Sequence, residues 1–226
     1  PYARVPLADG TLVATSEPPS PDQVVDLLAT SDVLGTGWWA ADAAAVRPGS
    51  TVVVVGDGAV GLMGVLAARE MGAERIIALS RHETRQKLAR DYGATDIVAE
   101  RGAEGLARVM DLTKGVGAHS VLECVGTAEA MDQALACCRP GGTVGFVGVP
   151  HGIVLTGEQL FFGQRRMLGG PAPVRRYLPR LMERVLNGEL RPGEVFDLDL
   201  PLSQVADGYK AMDERRAIKV LLRVDA

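Results

Sequence analysis

The feature that most constrains this chain is a β-branched run followed at once by a glycine-rich turn. The run is Thr51-Val52-Val53-Val54-Val55, and the glycines after it have G-x-G-x-x-G spacing. Beyond the turn, apolar residues recur at three- and four-residue steps, as on one face of a helix. A strand, a glycine turn and a helix form the first half of a βαβ unit. The residues of the turn are Gly56, Asp57, Gly58, Ala59, Val60 and Gly61.

Each glycine of this turn has a mechanical role in a dinucleotide site. Gly56 permits the tight turn, Gly58 leaves room for a pyrophosphate, and Gly61 lets the helix pack closely on the strand. The N-terminus of the helix then offers N–H groups to the phosphates. We expect a dinucleotide site here, and the alternative is a purely structural glycine turn.

The end of the second strand indicates which dinucleotide binds. Residues 75–79 read as that strand, and an NAD-specific site usually places an acid after it, which would repel a 2′-phosphate. This chain has Ser80 and Arg81 instead, and a guanidinium suits phosphate oxygens. We therefore expect NADP(H) rather than NAD(H). The alternative is that Arg81 is a solvated charge at a helix start, with Ser80 as the N-cap.

Composition excludes several other functions. The net charge of −4 favours neither nucleic acid nor an anionic membrane surface as a partner, and no apolar run has transmembrane length. The three cysteines lack C-x-x-C spacing, which indicates a reducing cytoplasm. A start at Pro1 instead of Met leads us to expect a processed or truncated product.

The remainder of the chain predicts an α/β fold with a doubly wound parallel sheet. Strands are expected at 51–55, 75–79, 96–98, 120–124, 143–147 and near 167–168, with helices between them. A short extended pair is expected over residues 2–13, and the tail after 171 breaks the βα rhythm. Ligands bind at the carboxyl ends of parallel strands. This rule groups the glycine turn and Ser80-Arg81 with Val125-Gly126 and Val147-Gly148 around one crevice.

Several motifs in this order resemble the medium-chain alcohol dehydrogenase superfamily, most closely its zinc-containing, NADP-dependent bacterial branch. They are SDVLGTGW (31–38), RPGS (47–50), GDGAVG (56–61), SR (80–81), YGATD (92–96), RPGGT (139–143) and IK (218–219). The resemblance implies two lobes. It implies that residues 1–30 are a remnant of an N-terminal GroES-like catalytic lobe, 31–170 a Rossmann domain, and 171–226 a segment returning toward the catalytic lobe.

The resemblance also implies roles for individual residues. Asp32 falls at a catalytic zinc-ligand position, although an acid before a helix is also a common N-cap. Thr36 falls where members contact the nicotinamide side of the cofactor. Lys219 replaces an arginine on the pyrophosphate, and Val147-Gly148-Val149 matches the loop under the nicotinamide.

The implied activity is hydride transfer between NADP(H) and a small alcohol, aldehyde or ketone, assisted by Zn²⁺ in the intact enzyme. One carboxylate cannot build a three-ligand zinc site. We therefore predict no zinc at Asp32 and no alcohol turnover in this chain alone. The alternatives are a zinc-free quinone or enoyl reductase of the same superfamily and a non-catalytic NADP(H)-binding module. Family members commonly form homodimers or homotetramers, and the implied contact is a sheet-edge strand at residues 147–155.

Overall fold

A computed structural model describes residues 3–224 of the chain. The chain divides into two compact units. One unit runs from Thr36 to Pro173, and the other combines the residues up to Gly35 with those from Val174 onward. The predicted domain boundaries at 30/31 and 170/171 stay a prediction.

The unit from Thr36 to Pro173 is built around a parallel six-stranded sheet. The strands are β1 (Thr51–Val55), β2 (Arg75–Leu79), β3 (Asp96–Val98), β4 (Ala118–Glu123), β5 (Cys138–Phe146) and β6 (Arg166–Gly169). Their order in the sheet, β3-β2-β1-β4-β5-β6, is that of a dinucleotide-binding fold. The fold class expected from the sequence is thus confirmed.

Burial on both faces explains why the central strand is so apolar. Val52, Val53, Val54 and Val55 of β1 are all buried. β1 lies between β2 and β4, so it has no free edge. A strand covered on both faces reads as a continuous hydrophobic run, which is what residues 52–55 show.

Helices connect and cover the strands of this sheet. The helices of this part of the chain are α3 (Gly35–Ala43), α4 (Ala59–Glu70), α5 (Glu83–Asp91), α6 (Gly102–Leu112), α7 (Ala128–Cys137) and α8 (Gly157–Gly163). α4 contacts α5, and α6 contacts α7, as expected when helices are shared between the two faces of a doubly wound sheet.

The edge of the sheet differs from the expectation. Residues 147–155, all of which the structure describes, contain no strand, and β6 is the edge strand instead. Pro150 has no N–H to donate to a ladder, and Gly152 has a φ of 66°, outside the β region. The prediction of an edge strand at 147–155 is therefore wrong, and the predicted oligomer stays a prediction.

The second unit contains helices from both ends of the chain. The predicted cap at Ser20 is confirmed, because its side chain accepts from the Gln23 amide and Gln23 completes a capping box. The bounds are α1 (Ala8–Thr11), α2 (Pro21–Ala29), a π-helical turn (Thr30–Leu34), α9 (Val174–Leu186) and α10 (Val205–Asp213), with 3₁₀ turns at Pro192–Val195 and Leu202–Gln204.

A small parallel sheet completes this unit. It pairs β7 (Phe196–Pro201) with β8 (Lys219–Arg223). The extended pair predicted over residues 2–13 is wrong for the described part, where the four-residue helix α1 occurs; Tyr2 lies outside the described residues. Within residues 3–224, no helix combines the length and the apolarity needed to cross a bilayer.

Candidate functional site

The glycine-rich turn has the geometry that each of its glycines predicts. Gly56 has a φ of 114°, in the region that favours glycine. A Cβ at Gly58 would meet no atom within 4 Å, so the space above it is open. A Cβ at Gly61 would lie only 2.8 Å from the carbonyl carbon of Gly56, which means that α4 packs directly against the turn.

The N-terminus of α4 faces this turn without a side-chain cap. Gly58 is its N-cap residue, and no side chain within the described residues caps the helix there. The first N–H groups of a helix lack intrahelical acceptors and carry the positive end of the helix dipole. Together with the open space at Gly58, they form a cradle that fits a pyrophosphate.

The end of β2 holds a carboxylate that the strand itself does not supply. Ser80 is buried, and its Oγ donates to Asp57 Oδ2 at 2.8 Å. Asp57 comes from the glycine turn and is itself buried. Arg81 is exposed beside them. The N-cap of α5 is His82, so the alternative assignment of Ser80 as the N-cap is wrong.

Arg85 neutralises this carboxylate from the first turn of α5. Its Nη1 lies 3.3 Å from Asp57 Oδ1 and also donates to the Asp57 carbonyl at 3.3 Å. Sequence reasoning missed both Asp57 and Arg85. One feature of the sequence could have indicated Arg85: it is a cation in the first turn of a predicted helix, where the helix dipole disfavours positive charge.

Glu123 organises the ends of β4 and β5, and sequence reasoning missed it too. Its Oε1 accepts from the amides of Val125 and Gly126, each at 2.8 Å. Its carbonyl accepts from the Val147 amide at 2.9 Å. Glu123 is fully buried, and among the described residues its Oε2 has no hydrogen-bond partner. A Cβ at Gly148 would lie 2.6 Å from Oε2.

The structure brings the predicted crevice residues together. Val125 lies over the turn, because its Cγ2 would be 2.8 Å from a Cβ at Gly56. Gly126 has a φ of 90° and packs against the backbone of Gly148 and Val149. The side chain of Val149 is exposed. The segments that follow β1, β2, β4 and β5 thus lie next to one another, although the roles of these residues stay predictions.

The residues implied by family resemblance are divided between the two units. Asp32 is an exposed residue of the π-helical turn, and such turns often occur at functional sites. Thr36 is half-buried in the first turn of α3. Lys219 begins β8 in the second unit, where its Nζ lies 5.9 Å from the centre of the Phe196 ring.

The residues present do not fit a catalytic zinc ion. Such a site takes three protein ligands, and Asp32 supplies one. Residues 3–224 contain no group of three or more His, Cys, Asp or Glu side chains that could hold a metal. We therefore derive no chemical step through zinc from this chain.

Two other residues near the strand ends have ordinary structural explanations. Burial raises the pKa of the Cys124 thiol, and the neighbouring Glu123 carboxylate raises it further, which disfavours the nucleophilic thiolate. His119 accepts a hydrogen bond from the Thr51 amide through Nδ1 at 3.0 Å.

Known proteins resemble this chain in sequence. The sequence model of the family described as zinc-binding dehydrogenase matches residues 59–187. Zinc-type alcohol dehydrogenase B of Aspergillus flavus is 32% identical over 232 residues, which cover 98% of this chain and 53% of that protein. An NADP-dependent isopropanol dehydrogenase of Clostridium beijerinckii is 40% identical over 114 residues, covering 50% of this chain and 32% of that protein.

A solved structure resembles it as well. The alcohol dehydrogenase TADH from Thermus sp. ATN1 superposes with a TM-score of 0.84 at 32% identity, covering 92% of this chain and 61% of that one. The chain therefore spans about half of the Aspergillus relative and about three fifths of this structural neighbour.

Proposed function

Because this chain belongs to the zinc-binding dehydrogenase family, we propose that it is the NADP(H)-binding part of an alcohol dehydrogenase. The reaction is hydride transfer between NADP(H) and a small alcohol, aldehyde or ketone. The nicotinamide supplies the redox chemistry when bound, and the protein supplies binding and orientation. The cytoplasmic location expected from the cysteines belongs to the same proposal.

The observation that carries the proposal is the grouping of the segments that follow the carboxyl ends of the strands. The glycine turn and the uncapped N-terminus of α4 suit the pyrophosphate. Val125-Gly126 and Val147-Gly148-Val149 form the far side, where the nicotinamide half would lie. We propose that these residues bind the cofactor and orient its nicotinamide ring.

The choice of NADP(H) over NAD(H) rests on the end of β2. Ser80 replaces the acid typical of NAD sites, and the exposed guanidinium of Arg81 is available for a 2′-phosphate. The isopropanol dehydrogenase of Clostridium beijerinckii, described as NADP-dependent, supports the same choice. Lys219 is proposed as the pyrophosphate cation.

We propose that Asp32 is one ligand of a catalytic zinc in the intact enzyme and that Thr36 positions the nicotinamide ring. The present chain should hold no tight zinc ion, because Asp32 alone cannot supply three ligands. Stoichiometric zinc retained by the purified chain after dialysis against zinc-free buffer, measured by plasma emission spectrometry, would contradict this expectation.

The cofactor proposal is tested by titrating the chain with NADPH and NADH and following nucleotide fluorescence. We expect tighter binding of NADPH and loss of about tenfold in NADPH affinity in Arg81→Ala, with little change for NADH. Arg108→Ala, at an exposed ion pair on α6, is the matched control. Equal or tighter binding of NADH by the unmodified chain would overturn the NADP(H) assignment.

A further inference from the structure

Three buried polar side chains meet where β2 ends and the glycine turn begins. Asp57 is 6% exposed, Ser80 2% and Arg85 4%. Asp57 is shared between the other two, because Oδ2 accepts from Ser80 Oγ at 2.8 Å and Oδ1 lies 3.3 Å from Arg85 Nη1. We call these three residues the Asp57 triad.

The Asp57 triad breaks two local rules of protein structure. A buried ion pair loses much hydration energy, and a hydrophobic pair of similar size is often as stable. Arg85 also places a cation in the first turn of α5, where the helix dipole is unfavourable. Positions that break local rules in this way are expected at functional sites. The location of the triad indicates which function.

The end of β2 is the place where a Rossmann fold distinguishes a ribose 2′-hydroxyl from a 2′-phosphate. The acid that usually stands there is replaced by Ser80 in this chain. The structure nevertheless brings a carboxylate to Ser80, from a residue 23 positions earlier in the sequence. The charge at this place therefore depends on Asp57 and on its neutralisation by Arg85.

We propose that Asp57 and Arg85 are specificity-determining residues for the 2′ substituent of the cofactor. Arg85 cancels the charge of Asp57, and this cancellation is what lets a 2′-phosphate bind next to a carboxylate. Ser80 stands at the end of β2, where the 2′ substituent is distinguished, and its hydroxyl donates to Asp57. Ser80 therefore connects the ion pair of Asp57 and Arg85 to the cofactor site. This inference rests on the proposed cofactor function and deepens it.

The proposal predicts how the preference for a 2′-phosphate changes in two single variants and in the double variant, compared with the unmodified chain. Arg85→Met leaves the Asp57 carboxylate unbalanced and should disfavour a 2′-phosphate. Asp57→Asn removes the carboxylate that lies against the Arg85 guanidinium, which makes the local charge more positive and should favour a 2′-phosphate. The double variant has the same net charge as the unmodified pair, and the amide oxygen that Asp57→Asn introduces can still accept from Ser80. Its selectivity should therefore return toward that of the unmodified chain.

The experiment uses ligands that report on the adenosine half of the site alone. Each variant of the full chain is titrated by calorimetry with adenosine 2′,5′-bisphosphate and with adenosine 5′-monophosphate. The readout is the affinity for adenosine 2′,5′-bisphosphate divided by the affinity for adenosine 5′-monophosphate. We expect Arg85→Met to lower this ratio about tenfold and Asp57→Asn to raise it about tenfold, with the double variant within about threefold of the unmodified chain.

A merely structural role for Arg85 gives a different result. In that case Arg85→Met would weaken the binding of both ligands by the same factor and leave the ratio of their affinities unchanged. An unchanged ratio in both single variants overturns the proposal. Arg108→Met is the matched control, because it removes an exposed arginine that pairs with Asp111 at 3.6 Å. If Arg85→Met does not fold, the comparison of Asp57→Asn with the double variant measures the effect of Arg85 without an unpaired carboxylate.

Failure of this inference differs from failure of the proposed function. If the unmodified chain prefers NADH but the ratio still falls in Arg85→Met and rises in Asp57→Asn, the NADP(H) assignment is wrong and the inference stands. If the unmodified chain prefers NADPH and neither variant changes the ratio, the inference is wrong and Arg81 remains the proposed source of the preference.

Discussion

Gly61 of α4 packs directly on the carbonyl group of Gly56, the first residue of the turn that precedes the helix. A Cβ at Gly61 would lie 2.8 Å from the carbonyl carbon of Gly56 and nearer still to its oxygen. We predict that Gly61→Ala destabilises the chain by about 3 kcal/mol, because backbone atoms cannot yield to the added methyl group. Urea unfolding followed by circular dichroism measures the change.

Gly58 is the matched control for this prediction. A Cβ there meets nothing within 4 Å, and its φ of −78° is open to alanine. Gly58→Ala should therefore unfold at nearly the same urea concentration as the unmodified chain. It should still weaken NADPH binding about tenfold, or about 1.4 kcal/mol, because the methyl group occupies the space open to the pyrophosphate. Equal stability losses in the two variants would contradict the assigned roles.

The sheet could be predicted because its signals are local. The β-branched run of β1 and the glycine turn after it are neighbours in sequence, and the alternation of strands and helices follows from periodicity. The sequence predicts all six strands of the larger sheet: β1, β2 and β3 have the predicted bounds, and β4, β5 and β6 have shifted bounds. α8 was missed although the capping box of Thr156 and Gln159 is a readable start signal. The helix Ala8–Thr11 has only four residues, too few for a periodic pattern.

The polar interior of the site could not be predicted in the same way. Asp57 and Arg85 are 28 residues apart, and their contact exists because the fold brings α5 against the glycine turn. Glu123 falls inside the predicted strand 120–124, and only its hydrogen bonds to the amides of Val125 and Gly126 reveal its role. Strand ends could be grouped by the topology rule, but side-chain partners across elements require the tertiary structure.

Glu123 provides a second test of the site. Its Oε1 accepts from two backbone amides, so Glu123→Ala would leave the N–H groups of Val125 and Gly126 without this acceptor. We expect the free energy of unfolding to fall by about 3 kcal/mol. Glu123→Gln keeps an acceptor oxygen and should lose about 1 kcal/mol. Urea unfolding of both variants measures the difference, and identical losses would show that the carboxylate's acceptor role is unimportant.

His119 predicts how the stability of the sheet depends on pH. Its Nδ1 accepts from the Thr51 amide at 3.0 Å, so the hydrogen bond requires Nδ1 to be unprotonated. Burial, aided by Arg139 and Arg47, lowers the pKa of His119 below its usual 6.5. The unfolded chain therefore binds the proton first as pH falls, and stability present above pH 6.5 is lost as pH falls toward the folded-state pKa.

The variant His119→Asn isolates this contribution, because its side-chain oxygen can accept from Thr51 but does not titrate. We expect the unmodified chain to lose more unfolding free energy than His119→Asn between about pH 7.5 and pH 5. Urea unfolding at both pH values gives the two losses, and their difference cancels the contribution of carboxylates common to both proteins. The exposed His151 is the control position for the same substitution. Equal losses in the unmodified chain and in His119→Asn would mean that the hydrogen bond to Thr51 does not depend on the protonation of His119.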